Sequence, residues 1–288
     1  MTDTNIDYIL EPAVYLIITF IMFVVGKYAY QLFHPKINVK SELVLKDNFA
    51  FAIAHTGYFV GLLIAIGSAI VGPSHGILID VIDIVVYGSL AIILLNLSTI
   101  INDKFILNKF DVRKEIIDDQ NEGTGAIEAA SAIGSGLIIY GSVTGETDYL
   151  LFGILTSVVF WSIGQVIMIL TSKVYNMITS YDIHEHIEKD NVAVGLGFAG
   201  AIIAISNLIR FSLMGDFVSW DISLIKIGEY VIVGYIFLYI TRFVADKVLL
   251  PGQKLTDELI NQEKPNIGAG LIEAFAYIGG SVLIVWSL

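Results

Sequence analysis

Residues 121–143 read NEGTGAIEAASAIGSGLIIYGSV, and residues 266–287 read NIGAGLIEAFAYIGGSVLIVWS. Asn121, Gly123, Gly125, Ile127-Glu128-Ala129 and Ile133-Gly134 of the first recur in the second as Asn266, Gly268, Gly270, Ile272-Glu273-Ala274 and Ile278-Gly279. Each stretch opens on a helix-capping residue, followed in the first by Glu122, and then stays small, hydroxylic or apolar for the ~20 residues that a bilayer-spanning helix needs, apart from one acid inside each run. The pair therefore points to a membrane protein with an internal duplication.

Working outward, Lys46-Asp47-Asn48 recurs as Lys189-Asp190-Asn191, Asp103-Lys104 as Asp246-Lys247, and Glu115 as Glu258. The first spans of the two halves match only loosely, around Val25-Gly26 and Ile163-Gly164. Of the 288 residues 56% are hydrophobic and 15% charged, where a soluble domain carries roughly a quarter charged. Apolar runs of bilayer length predict eight helices, at 13–33, 47–71, 78–102, 123–144, 149–171, 191–214, 222–245 and 267–288. Continuously apolar runs favour helices over a membrane barrel, whose strands alternate. The expected fold is an all-α polytopic membrane protein of two four-helix repeats, 1–144 and 145–288. Four crossings return the chain to its starting side, so the repeats are expected to be parallel, in the same orientation.

Lys and Arg near span ends are retained in the cytoplasm. Lys36, Lys40, Lys46, Lys104, Lys109, Arg113, Lys114, Lys173, Lys189, Arg242, Lys247, Lys254 and Lys264, with Lys27 near the end of the first span, fall on one side. Only Arg210 and Lys226 fall on the other, and the connections 72–77 and 145–148 carry no base. Both termini are thus expected outside the cytoplasm, in a bacterial inner (plasma) membrane. Residues 1–12 hold Asp3, Asp7 and Glu11 and no base, so they lack the positive start of a cleaved signal and the first apolar run is expected to be a retained span.

With no Cys there is no disulfide framework, thiol nucleophile or thiolate metal site. A formal charge of −12 argues against nucleic acid as a partner, since phosphate binding needs clustered bases. No HExxH, GxSxG or GxxxxGK[ST] occurs, and neither an enzyme nor a cofactor is expected.

The Lys-Asp-Asn opening of the second and sixth spans, the Asp-Lys closing the third and seventh, and the Asn-x-Gly-x-Gly-x-Ile-Glu-Ala opening of the fourth and eighth resemble a bacterial inner-membrane family. That family is known as domain of unknown function 350, the YjfL-like proteins, and the resemblance spans nearly the whole chain as two tandem copies. It implies a four-helix membrane unit and no established reaction or ligand. Members look like neighbours of phage-shock-type stress proteins and amine-ligating ATP-grasp enzymes, which hints at envelope stress or cation handling. The copies differ where Phe198 replaces His55 and Tyr239 replaces Asn96.

Glu128 and Glu273 are the main candidates for chemistry, because an ionisable group inside a span is costly and marks function by default. Seven residues after an Asn cap places each ~10 Å along its helix, in the cytoplasmic third, near a helix N-terminus that favours a carboxylate. The competing reading is a structural glutamate bonded to a neighbouring helix. Lys27, His55 and Asn96 fall at similar depth and would form a supporting polar cluster if their faces converge; Gln165, Tyr239 and Thr241 are the second-half counterparts. Asp47, Asn48, Asp190, Asn191, Asn121 and Asn266 form the helix-cap and repeat signature, while Gly123, Gly125, Gly268 and Gly270 leave open an unwound, ion-binding backbone.

Small residues at four-residue spacing, Gly57-Gly61-Ala65 and Ala126-Ala130-Gly134 among them, predict close helix packing. On the outer side Asp80, Asp83, Arg210, Lys226 and Glu229 are candidate ion pairs. His184-Glu185-His186 lacks a second ligand pair for a metal site. Residues 103–120, with Ile106, Phe110 and Ile117 at helical spacing, read as an interfacial helix or a docking surface for a soluble protein.

The expected function is a proton or small-cation conduit using Glu128 and Glu273. The alternative is a non-transporting scaffold or envelope-stress partner that recruits cytoplasmic proteins through its loops. A membrane enzyme acting on lipid or amine ranks last. Expected partners are the lipid bilayer, a cytoplasmic protein and further copies of the chain.

Overall fold

A computed structural model describes residues 7–71, 74–145 and 149–287. The connections expected at 72–77 and 145–148 fall partly outside these residues, as do Asp3 and the first six positions. Eleven α-helices are described: α1 (Asp7–Phe33), α2 (Phe49–Gly67), α3 (Ile77–Ile101), α4 (Val112–Ile117), α5 (Glu122–Val143), α6 (Leu150–Ile178), α7 (Ile183–Glu188), α8 (Val192–Leu213), α9 (Trp220–Val244), α10 (Leu255–Ile260) and α11 (Ile267–Ser287). π-helical turns at Ser41–Leu45, Asn102–Ile106 and Ala245–Leu249 complete them, and no strand occurs among the described residues. Eight helices are long and apolar enough to cross a membrane.

The third, fifth and seventh spans run further toward the Lys/Arg-rich end than their charges suggest, to Ile106, Ile178 and Leu249. Asp103, Lys104, Lys173, Asp246 and Lys247 are carried inside helical turns. Conversely the second span ends at Gly67, four residues early, and the turn after it is closed by Ser68 Oγ donating to the Ala65 carbonyl at 2.6 Å.

The sequence halves conceal a finer unit. The chain is four successive hairpins, each a long helix, a short turn or helix, an Asn cap and a second long helix. The capping oxygens of Asn48, Asn121, Asn191 and Asn266 accept from the N–H groups of Phe51, Thr124, Val194 and Ala269 at 2.9–3.2 Å, which satisfies a donor that a helix start leaves free. Their own N–H groups donate to the carbonyls of Glu42, Glu115, His186 and Glu258. Asp47 and Asp190 are therefore not the caps. They stand one residue earlier with φ of 53° and 59°, as Gln120 does at 56°, in the left-handed region that short polar side chains tolerate best. In the fourth hairpin this position is Pro265, whose ring fixes φ negative.

The four second helices, α2, α5, α8 and α11, pack as a row, and bare backbone holds it together. A Cβ on Gly125 would strike Ala50, on Gly57 it would strike Ala129, on Gly195 Gly123, on Gly141 Arg210, on Gly270 Ala193 and on Gly200 Ala274. Contacts rise together along both members of every pair, so the four helices run parallel. α1, α3, α6 and α9 lie against this row and expose much apolar surface, including Leu16, Phe20, Leu151 and Ile236, as lipid-facing helices do.

Candidate functional site

Position seven after each cap is the same point on each row helix, and it holds His55, Glu128, Phe198 and Glu273. The four environments are different. His55 is buried among aromatic rings, with Tyr30 at 4.6 Å, Phe59 at 4.4 Å and Phe51 at 5.2 Å between centroids. Phe198 stacks on Tyr175 at 5.3 Å.

Glu273 has no exposed surface and is neutralised in place. Arg242, reaching from α9, forms an ion pair with Glu273 Oε1. The hydroxyls of Tyr175 and Tyr277 donate to the same oxygen at 3.1 Å and 2.9 Å, and the guanidinium lies over the Tyr181 ring. Gly197 leaves the carboxylate room, since a Cβ there would meet Glu273 Oε2. An opposite charge and two donors thus converge on Oε1 of a buried carboxylate, as a buried ion pair requires, while Glu273 Oε2 and Arg242 Nη2 are buried without a hydrogen-bond partner.

Glu128 has no such partner. Its neighbour is another acid: Asp103, from the π turn ending α3, lines the same cavity and is the charged group that acts most strongly on Glu128. Two carboxyl groups set side by side can bond each other only by sharing a proton. Among the described residues neither group forms an ion pair, and Glu128 Oε1 and Asp103 Oδ1 are buried without a hydrogen-bond partner. Both face a cavity of about 270 Å³ at the basic end of the bundle, walled by Tyr30, Phe33, His34 and Phe51 and reached past Lys36 and Arg113. His34 stacks on Tyr30 at 4.3 Å, its Nδ1 donating to the Tyr30 carbonyl at 3.0 Å. Lying just beyond the span, its imidazole is held below the ordinary histidine range by burial, which that carbonyl only partly offsets.

Above Glu128 a line of polar groups climbs α5. Thr124, Glu128, Ser131, Ser135 and Ser142 share one face, with Ile138 as its single apolar member. Ser131 donates to Asn102 Oδ1 at 2.7 Å and Ser135 receives Gln165 Nε2 at 3.3 Å. Ser142 lines a cavity of about 120 Å³ at the other end, with Thr156 and Ser157.

Of the expected supporting cluster, Lys27 is exposed, its Nζ 5.9 Å from the Tyr28 ring, because the α1 face that carries it points away from α5. Asn96 is buried and donates to the Tyr58 hydroxyl at 3.0 Å and the Ile92 carbonyl at 2.8 Å. His55, Asn96 and Tyr58 thus form a patch that meets the Tyr30 ring at 4.6 Å and 4.8 Å, and Asp103, Tyr30 and His34 share the cavity that Glu128 faces. In the second half Tyr239 is exposed and Thr241 bonds its own helix backbone; Arg242, Tyr175 and Tyr277 take the carboxylate. Asp103 and Arg242 were visible only as a repeat mark and a topology charge. The glycines at 123, 125, 268 and 270 lie in unbroken helix.

His184 donates from Nε2 to the Ile106 carbonyl at 2.8 Å. Among the described residues Asp80, Asp83, Arg210, Lys226 and Glu229 make no ion pair with one another. Asp80 takes the Tyr15 hydroxyl and Ser74, and Arg210 binds Asn207 Oδ1.

A family model described as a domain of unknown function, DUF350, matches residues 4–143 and again 149–288. Among curated relatives, a UPF0719 transmembrane protein of Aquifex aeolicus (strain VF5) is 22% identical over 260 residues, 90% of this chain and 93% of that protein. The UPF0719 transmembrane protein YshE of Bacillus subtilis (strain 168) is 26% identical over 125 residues, 43% of this chain and 87% of that protein. No solved structure matches. The chain belongs to the DUF350 family and carries its unit twice, as a multi-pass membrane protein.

Proposed function

We propose that this two-copy member of the DUF350 family is a proton or small-cation conduit of the bacterial inner membrane, with Asp103 and Glu128 as its ion-binding pair. The observation that carries the reading is a half-buried carboxyl pair at the foot of the α5 polar stripe, each acid with one enclosed oxygen that has no hydrogen-bond partner and neither with a basic partner among the described residues. An acid pair inside a span is costly and holds either a shared proton or a cation. In the orientation that the Lys and Arg distribution predicts, the 270 Å³ cavity opens to the cytoplasm. Ser131 and Ser135 continue the polar face toward the outer end, and Ile138 interrupts it as a dry step. Glu273, ion-paired with Arg242 and bonded through Oε1 to Tyr175 and Tyr277, braces the second repeat and carries no ion.

The scaffold alternative finds less support. Ile106 is buried, and Phe110 and Ile117 pack against the core, so the three apolar residues at helical spacing in the 103–120 connection face inward and only Phe105 stands exposed among its large apolar side chains. Flux into liposomes under proton, sodium and potassium gradients tests the conduit. Glu128→Gln and Asp103→Asn should each abolish it with the fold intact. A wild-type protein that moves none of these ions, or a Glu128→Gln protein that moves them as well, would sink the reading.

A further inference from the structure

The row α2–α5–α8–α11 uses one contact three times and stops with that contact unfilled at both ends. In each contact the residue four after the later cap meets the residue two after the earlier cap: Gly125 on Ala50, Gly195 on Gly123, Gly270 on Ala193. At the free edges the corresponding residues are Gly268 of α11 and Ala52 of α2, as small as their counterparts. A Cβ on Gly268 would meet only the side chain of its own cap, Asn266. Thirteen after the cap, Gly61 lies against Ala132 and Gly134 against Ser206, yet Gly279 would meet only Phe275 of its own helix.

The caps make the same point with polar atoms. Asn48, Asn121 and Asn191 are buried, and each donates from Nδ2 to a carbonyl of the next hairpin's short helix: Ile116 at 2.8 Å, Ile187 at 2.7 Å and Leu259 at 2.8 Å. Asn266 is exposed and has only the side chain of Glu258, within its own hairpin. At the other edge the Ser41–Leu45 turn presents exposed Leu43, Val44 and Leu45 to no preceding cap. Inside the chain, the middle contact joins the last helix of one four-helix unit to the second helix of the next. α11 and α2 are those same two helices of successive copies.

We propose that a second copy of this chain continues the row, its α2 seated on α11 of the first and its Ser41–Leu45 turn supplying the carbonyl that Asn266 lacks. In that register Leu63 falls opposite bare Gly279, as Ser206 falls opposite Gly134. The contact is head-to-tail, using different surfaces on the two copies, so it closes into a ring or extends as a chain of copies. It does not depend on what the protein transports.

The absence of native cysteine makes the test direct. Val44→Cys and Ile267→Cys are placed in separate, differently tagged copies of the full chain, co-expressed and treated in native membranes with a short bis-maleimide. Val44 stands four before its cap, as Ile187 does, and both chosen positions are exposed. The expected product is a cross-linked pair carrying both tags, with none from either variant alone although both thiols react with a mono-maleimide. Adding Gly279→Trp, at a position open within one chain, should cut the yield about tenfold, a modest loss for a membrane helix contact. Homotypic products alone, a Gly279→Trp protein that cross-links as well, or labelled thiols that never cross-link would overturn the proposal.

Discussion

The face of α5 through its acid reads Thr124-Glu128-Ser131-Ser135-Ile138-Ser142, and the same face of α11 reads Ala269-Glu273-Ala276-Gly280-Leu283-Ser287. One helix surrounds its glutamate with hydroxyls and faces it with Asp103; the other surrounds it with small apolar residues and faces it with Arg242. Identical motifs have been put to opposite electrostatic uses. A duplicated acid is therefore no proof of a duplicated function, and the neighbouring helix decides which copy is ion-paired. This contrast can be broken at four points.

The largest effect belongs to the ion-paired copy. Removing one partner of a buried ion pair leaves the other charge stranded, at a cost of about 3–5 kcal/mol. Arg242→Met should therefore lower the thermal midpoint in detergent sharply, and Arg242→Met with Glu273→Leu should recover most of the loss. Glu128→Gln should leave the midpoint unchanged or raise it, because it removes an acid from an acid pair. Equal losses from Arg242→Met and Glu128→Gln would erase the distinction between the halves.

Next comes the difference between filled and unfilled helix contacts. Gly125→Leu drives a side chain into the Ala50 backbone, and overpacking costs about 1–3 kcal/mol or more. Gly228→Leu, at a glycine with nothing near its added Cβ, should cost only a fraction of that. The midpoints of the two variants compare the row's interior with its lipid side. The caps give a smaller version of the same test. Asn121→Ala loses the Thr124 cap bond and the bond to the Ile187 carbonyl, about 2 kcal/mol together. Asn266→Ala, with one helix bond and an exposed side chain, should lose less than half as much.

How far these contrasts were legible in sequence depends on what carried them. Eight spans, the duplication and both glutamates follow from apolar run lengths and from Asn-x-Gly-x-Gly-x-Ile-Glu-Ala, because bilayer thickness and capping act locally. The four-hairpin unit was hidden, since its hairpins share little beyond one Asn and small residues whose meaning lies in the helix they touch. Asp103 and Arg242 were hidden for another reason. Asp103 was taken as the limit of the third span, yet it sits in a helical turn that continues past the expected end at 102, while Arg242 lay within the expected seventh span and within α9 but was counted only as a charge that sets topology. Lys27 failed as a partner because depth along a helix says nothing about which face a residue occupies.

The smallest expected effect concerns the mouth of the first cavity. His34 has its folded-state titration lowered by burial, so the unfolded chain binds its proton more readily than the folded one. Stability from this group is then fully present above the ordinary histidine value of about 6.5 and is lost as pH falls from there toward the lowered folded value. The groups that face the ring are the Tyr30 ring and carbonyl, the Thr99 hydroxyl and, more distantly, His55; Lys36, Asp103 and Glu128 share its cavity. His34→Phe keeps the stacking on Tyr30 while removing the proton site, and should flatten the fall in thermal midpoint between neutral and mildly acidic pH. If the acid loss is unchanged in His34→Phe, the dependence belongs to the acid pair, and the first cavity takes up its proton at Asp103 and Glu128 without reporting it through its rim.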